Sequence, residues 1–381
     1  MDTPPFRAER KRTPAEQGNE LGFAARTEAW TSQERVNYNQ TSAMLTVWKK
    51  TEELAHLNEV SSVPLQQTLR HSQTAFTNFF AKWARYPHFK SRRKSRKSAE
   101  YTTSGFRFRD GKLTLAKMPE PLDIVWSRPL PEQAKPSTVT VSQDAAGRWF
   151  VSMLCDDPSV TPLGAKGNAV GIDVGLDHLL TLSTGEKVTN PRHERKDRVR
   201  LAKAMRNLAK KTRGSANRNK ARLEVARIHA RIADRRRDGL HKLTTRLVRE
   251  NQTLVIEDLT VRTMVRNRTL SRAISDAAWS QFRSMLEYKA AWYGREVIAV
   301  DRWFPSSRLC SACGTVQDRI PLSVRTWTCG CGTTHDRDVN AAKNLLAAGR
   351  AVAACGAGVR PQRSTPGGQS AMKQEVSRRE P

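Results

Sequence analysis

Apolar positions change their period along the 381-residue chain, and each change marks an element. From Ser42 to Ala81 they recur at helical spacing, at Leu45 and Trp48 and then at Leu65, Leu69, Phe76, Phe79 and Phe80, which predicts two helices broken near Val63-Pro64. Between residues 101 and 156 the period shortens to two. FRFRDGKLTL alternates about an Asp110-Gly111 turn and STVTVSQDAAGRWFVSML about Gly147, so two hairpins of a small sheet or barrel are expected. Residues 157–168 read as a linker, and AVGIDVGLDHLLTLSTGEKV as a pair of strands turning at Thr184-Gly185. Helical spacing returns over residues 193–250, where Val225, Ile228, Ile232, Leu243 and Leu247 keep one face while Arg and Lys fill the others; an interruption at TRGSANRNK makes this a helical hairpin. LVIED reads as a strand, and Ile274 to Tyr293 as a helix with Trp279, Phe282, Met285 and Leu286 on one side and Gly294 as its stop. REVIAVDRW is a further strand, and VNAAKNLLAAG a last helix ending at Gly349. Residues 1–30 show no clear period and are expected to be irregular; the tail from Arg350, rich in Gly, Pro, Gln, Ser and Arg, is expected to be disordered.

Three acids fall where these elements begin or end: Asp173 in AVGIDVG, Glu257 in LVIEDL and Asp338 in HDRDVNAAKN. The first two close apolar runs, so a buried sheet would push both out at its edge, and Asp338 opens a helix that could face them there. Strands that end in acids and lead into helices make an α/β fold of the ribonuclease-H type. Carboxylates distant in sequence but converging in space suit a phosphodiesterase, because two Mg²⁺ ions held together stabilise the attacking and the leaving oxygen. Taken singly, Asp173 between glycines also reads as a turn residue, Glu257 as a strand-end surface acid and Asp338 as a helix N-cap. Their joint placement favours the catalytic reading. Asp258 points to the opposite face of its strand from Glu257 and Asp336 lies outside the helix start, so both are second choices.

Charge then narrows the partner. With 66 Lys and Arg against 37 Asp and Glu, the formal net charge is +29, a field that attracts polyanions. The segment Tyr86 to Ser98 (YPHFKSRRKSRKS) joins aromatic residues to a dense basic run, with Phe89, Lys90, Arg92, Arg93 and Lys94 as candidate nucleic-acid contacts. No apolar leader opens the chain and no run approaches the length of a membrane span, so a cytoplasmic, membrane-free protein is expected.

Four of the six cysteines are grouped as Cys310-Ser-Ala-Cys313 and Cys329-Gly-Cys331, a spacing that can place four thiolates tetrahedrally about a structural Zn²⁺. Gly330 and Gly332 supply backbone freedom to the tighter second pair. His335 is expected beside the acids and not among the zinc ligands. Cys155 and Cys355 stand alone, which suits metal binding in a reducing compartment better than a disulfide framework.

Taken together, GIDVG, RIHARIADRRRDGLHKLTTRLVRE, IEDL, SDAAWSQFRSMLEYKAAWYG, FPSSRLCSACG, VRTWTCGCG and THDRDVNAAKN resemble the TnpB (OrfB-type) proteins of insertion sequences, relatives of the type V CRISPR effector nucleases, over about residues 28–349. The resemblance implies a helical recognition segment over 31–100, a wedge barrel over 101–156 after an atypical opening, and a RuvC-type nuclease domain over 169–305. A zinc ribbon over 306–334 and a last nuclease helix over 335–349 complete it. It implies catalytic roles for Asp173, Glu257 and Asp338, and zinc ligation by Cys310, Cys313, Cys329 and Cys331. It further implies a guide RNA from the element's end that directs cleavage of duplex DNA. A strand-transfer transposase and a non-catalytic nucleic-acid binder are the rival readings. The chain departs from the family at its start. Only RTPAEQ stands where a barrel strand and first helix are usual, so the barrel is expected to lack an edge and residues 1–27 to pack poorly.

Overall fold

The apolar runs around Ile172 and Val255 become the middle of a five-stranded sheet in the computed structural model. It describes residues 14–354 apart from 33, 35, 89–96, 128, 132–133, 159, 319 and 322, with backbone alone at 14–19 and 30. The chain divides into two units: residues 1–161 with 194–235, and residues 162–193 with 236 onward.

In the first unit, helices α1 (Pro14–Thr31), α2 (Tyr38–Trp48) and α3 (Ser62–Phe80) bury Leu45, Leu57, Leu65 and Leu69 in one cluster. Helix α1 corrects the expectation of an irregular opening from residue 14 on, while residues 1–13 of that expectation lie outside the described residues. Its buried positions include Gly22, Arg26 and Ala29, spaced as a helix face but not apolar enough to read as one. A Cβ on Gly22 would lie 2.3 Å from Leu69 Cδ2, so α1 sits tight on α3, and the Arg26 guanidinium lies 5.7 Å over the Phe76 ring. The break between α2 and α3 falls at residues 49–61, earlier than expected; Pro64 sits in the first turn of α3, where its missing N–H costs nothing.

Strand β1 (Lys97–Thr102) precedes the β2 (Phe106–Arg109) and β3 (Lys112–Leu115) hairpin, and β4 (Lys135–Gln143) pairs with β5 (Trp149–Asp156). Both expected hairpins form, with Asp110, Gly111 and Gly147 at positive φ. The order is β1-β4-β5 in one sheet and β2-β3 in another. The two sheets share a core around Leu113, Leu115 and Val139 and do not pair into a closed ring among the described residues.

The second unit holds β6 (Ala169–Val174), β7 (His178–Leu182) and β8 (Lys187–Thr189), three strands where two were expected. Thr184-Gly185 turns β7 into β8, while a separate turn at residues 175–177 joins β6 to β7. Helix α4 (His193–Ala209) and helix α5 (Ala216–Glu250) form the basic hairpin, with Leu201 and Ala204 buried against Ile228 and Ile232 in the first unit. Then come β9 (Thr253–Glu257), α6 (Val261–Met264), α7 (Ser271–Ala277), α8 (Trp279–Tyr293) and β10 (Glu296–Val300). The helix expected from Ile274 to Tyr293 is divided between α7 and α8 by Ala278 at φ 54°, and Gly294 at φ 65° stops α8 as expected. Strands β11 (Thr326–Thr328) and β12 (Thr334–Asp336) lead into α9 (Arg337–Ala354).

The sheet order is β10-β9-β6-β7-β8, with β6, β9 and β10 parallel and β7 and β8 antiparallel to their neighbours. This meets the α/β expectation. One face of the sheet, carrying Val170, Ile172, Leu254 and Ile256, packs on Leu247 of α5 and on Phe282 and Leu286 of α8. The other face carries Val255 and Ile298 and packs on Leu345 of α9. Helix α9 approaches this face closely because it meets glycine: a Cβ on Gly171 would lie 2.0 Å from the Ala342 carbonyl oxygen, and one on Gly349 2.5 Å from Val255 Cγ2. Gly349 is therefore a contact inside the helix. The helix runs on to Ala354, and the expected stop at Gly349 is corrected; most of the expected tail, from residue 355, lies outside the described residues.

Candidate active site and metal centre

Side chains alternate faces along a strand, so Asp173 shares the face of Gly171, and Glu257 that of Val255. Both acids therefore lie on the α9 side of the sheet, and Asp338 stands in the first turn of α9. Ile172 pairs with Ile256 across the parallel β6–β9 ladder, which sets Asp173 and Glu257 level at neighbouring strand ends, about 4.8 Å apart in the backbone. Burial, then the negative charges of Asp338 and Glu257, push the Asp173 carboxyl up to about 8; Arg337 and Arg325 oppose the shift. Burial and then Asp258 also raise Glu257. The acids expected to converge thus share one electrostatic environment, although they are not drawn within 4.8 Å of each other as the four thiols are. The donor set fits hard cations: oxygen ligands, crowded negative charge, and an acid whose ionisation a cation would restore.

The second-choice acids are committed to ion pairs. Asp336 accepts from Lys187 Nζ at 2.6 Å and caps the Val339 N–H at 3.0 Å; burial alone would raise it, and these partners outweigh that and lower it. Asp258, on the opposite face from Glu257 as expected, receives Arg283 Nη1 at 2.5 Å and Arg302 Nη2 at 2.8 Å. The Arg283 hydrogen bond holds its carboxyl below the usual range. Arg283 also donates to Glu287 at 2.8 Å, and Arg302 to Thr260. Sequence reasoning missed this bracket on the Glu257 strand end. The linear pattern carried no signal for it, because the bracket depends on β10 lying beside β9 with Val300 level with Glu257, so that the residues after β10 emerge at the same edge.

The four cysteines gather with every Sγ within 4.8 Å of the others. The Cys310–Cys331 separation of 3.8 Å and the Cys313–Cys329 separation of 3.6 Å match the edge of a tetrahedron with Zn–S bonds, about 3.8 Å. The two knuckles close in the same way, the second one residue tighter than the first. The Gly314 N–H donates to the Cys310 carbonyl and the Gly332 N–H to the Cys329 carbonyl, both at 2.9 Å, with positive φ at Gly314 and Gly332 and not at Gly330. Hydrogen bonds with Thr315 pull the Cys313 thiol down to about 6, and Thr333 lowers Cys331 in the same manner.

His335 is corrected: its Nε2 lies 3.0 Å from Cys310 Sγ and its ring packs on Trp327, so it serves the cysteine cluster instead of bordering the acids. Arg325, also missed, reaches from the ribbon to Asp177 and to Asp338 at 3.5 Å. Asn340 and Asn344 of α9 donate to the Leu309 carbonyl, tying the ribbon to the helix that carries Asp338. Of the basic segment, Tyr86 packs among Phe23, Phe76 and Phe79, while Phe89, Lys90, Arg92, Arg93 and Lys94 lie outside the described residues.

Comparison with known proteins bears on this arrangement. The family OrfB_IS605, described as "Probable transposase", matches residues 150–268, and the Cas12f1-like TNB domain matches residues 279–345. A Streptomyces pristinaespiralis protein named as an RNA-guided DNA endonuclease is 68% identical over 355 residues, 93% of this chain and 88% of its own. The Escherichia coli K12 protein InsQ, named likewise, is 33% identical over 84% of this chain and 83% of its own. A solved Cas12f1 chain, from a complex with single-guide RNA and target DNA, superposes over 87% of this chain and 81% of its own, with a TM-score of 0.53 at 13% identity.

Proposed function

Because this chain belongs to the OrfB, TnpB-like family of RNA-guided DNA endonucleases, we propose that it cuts duplex DNA at the β6–β9 edge, with Asp173, Glu257 and Asp338 as the catalytic acids. The observation that carries this reading is the placement of the acids: two level strand-end carboxylates and a helix-opening one, with Asp173 pushed up to about 8 first by burial and then by the charges of Asp338 and Glu257. The three carboxylates would hold two Mg²⁺ ions, which when bound stabilise the attacking and leaving oxygens of the phosphodiester. Asp173 and Glu257 are fixed by the sheet, and Asp338 by the first helical turn, where the helix dipole favours a negative charge. The Asp258 bracket holds Arg283 and Arg302 in ion pairs at the end of the Glu257 strand. Cys310, Cys313, Cys329 and Cys331 would hold a structural zinc that fixes the ribbon on α9. A guide RNA, transcribed from the element's end, supplies sequence by base pairing, and the basic surface holds the backbones.

The test is purification with bound RNA, sequencing of that RNA, and incubation with matched duplex DNA and Mg²⁺. Guide-dependent cuts are expected, lost in Asp173→Ala, Glu257→Gln and Asp338→Ala while RNA binding persists. Full cleavage by any of these variants removes that residue from the site. The family description as a transposase favours one second reading, strand transfer by the same acids. Joined donor–target products, in place of free ends, would select it.

A further inference from the structure

Trp303 is 85% exposed, directly after the sheet edge that carries the acids. Its neighbours explain why it stands there. Strand β10 ends at Val300, level with Glu257, so the loop of residues 301–306 leaves the sheet beside the proposed cutting site. That loop is fixed from below. Asp301 Oδ1 accepts the Trp303 N–H at 2.8 Å, Phe304 packs against the Val255 and Leu345 cluster, and the Ser306 carbonyl accepts Asn344 Nδ2 at 2.8 Å. Arg302 is held back to Asp258 and Thr260, at the strand end next to Glu257. An indole thus stands out on an anchored loop, with a guanidinium at its root, Glu257 one strand away and Asp173 two. Phe304, the next residue, shows that this loop can bury an aromatic ring; Trp303 is left out.

A flat ring that is neither buried nor paired, on a nuclease edge in a strongly basic chain, matches a nucleobase better than any apolar partner. Every base has a face to stack, and the net charge of +29 on the chain attracts the phosphates. We infer that Trp303 stacks on a base of the DNA strand next to the scissile phosphate, setting that phosphate against Asp173, Glu257 and Asp338. Trp303 is then a positioning residue for the cleaved strand. The inference rests on the reading of the acid edge as the cutting site, and its test is kept separate from that reading.

The test uses the full chain with its guide RNA and Glu257→Gln as the background, so that no cutting is needed for the signal. Single-stranded target DNA carries 2-aminopurine at successive positions around the cut, and its fluorescence reports stacking. Quenching is expected at a base adjacent to the cut. Trp303→Ala should abolish it and weaken oligonucleotide binding by roughly tenfold, while Trp303→Phe retains most of both. Trp303→Leu, apolar but without a π face, should behave like Ala. An unchanged quenching profile in a folded Trp303→Ala protein overturns the inference, as does a Leu variant equal to Phe, or quenching found in a labelled guide RNA and absent from the DNA. Cleavage by the otherwise wild-type protein is scored in parallel. Quenching without cleavage would fault the assignment of the acids and leave the stack standing; cleavage without Trp303-dependent quenching would do the reverse.

Discussion

Asp173 shows what a buried carboxylate costs. Its ordinary value of 3.8 is raised to about 8 by burial and by Asp338 and Glu257, so the folded state holds a proton that the unfolded chain gives up. Native-state proton uptake of this sign means stability falls as pH rises between those two values. Asp173→Asn should therefore melt above the wild type in Mg²⁺-free buffer, by a margin that widens from about pH 5 to about pH 8. A gap independent of pH would show that the carboxylate is relieved in some other way. Gly171 bears on the same site through shape. An added methyl would meet the Ala342 carbonyl at 2.0 Å, and backbone cannot step aside as a flexible side chain can. Gly171→Ala is expected to cost about 1–3 kcal/mol and to lower cleavage by moving Asp338 off the sheet edge. A variant with wild-type melting and cleavage would mean that α9 tolerates the displacement.

At the scale of elements, the ribbon and α9 act together. Asn340 and Asn344 are almost fully buried and donate their amides to the carbonyl of Leu309, next to Cys310, so disorder in the ribbon would reach the helix that carries Asp338. A ribbon with so small a core, around Trp327 and the cysteines, would need a metal on its thiols to fold. Purified protein is expected to carry about one zinc, and Cys310→Ser or Cys329→Ser should lose zinc, solubility and cleavage together. Metal analysis finding no zinc in soluble, active protein would refute this. The Asp258 bracket is a second such unit. Asp258→Ala strands Arg283 and Arg302 beside Glu257 and is expected to reduce cleavage more than stability, since the two arginines remain partly exposed. Equal losses in both measurements would assign Asp258 a purely structural role.

Across the whole molecule, the net charge of +29 sets the physics of association. Lys220, Arg227 and Arg231 are exposed along one face of α5, where residues seven and eleven apart align. Replacing all three with Gln should flatten the salt dependence of nucleic-acid affinity, by about one unit of log–log slope for each phosphate no longer neutralised. An unchanged slope would place the phosphate-binding residues elsewhere. No helix among the described residues is long and apolar enough to cross a bilayer.

The periods of apolar residues determined most of the elements, because burial on a sheet or a helix face leaves a local mark. The hairpins at Asp110-Gly111 and Gly147, the basic helical hairpin and the strands ending at Asp173 and Glu257 were all legible, as was the cysteine spacing. Elements whose cause is not local were hidden. Helix α1 buries Gly22 and Arg26, which carry no apolar signal, and β1, with only Ala99 and Tyr101 to mark it, is a strand because β4 pairs with it. Gly349 reads as a stop and is a helix–sheet contact, because a missing side chain looks the same in sequence whether it frees a turn or admits a neighbour. Tertiary structure alone brought Arg283 and Arg302 to Asp258, Arg325 to Asp338 and His335 to Cys310. Such pairings depend on which surfaces meet, and a linear pattern records each residue's burial but not its partner.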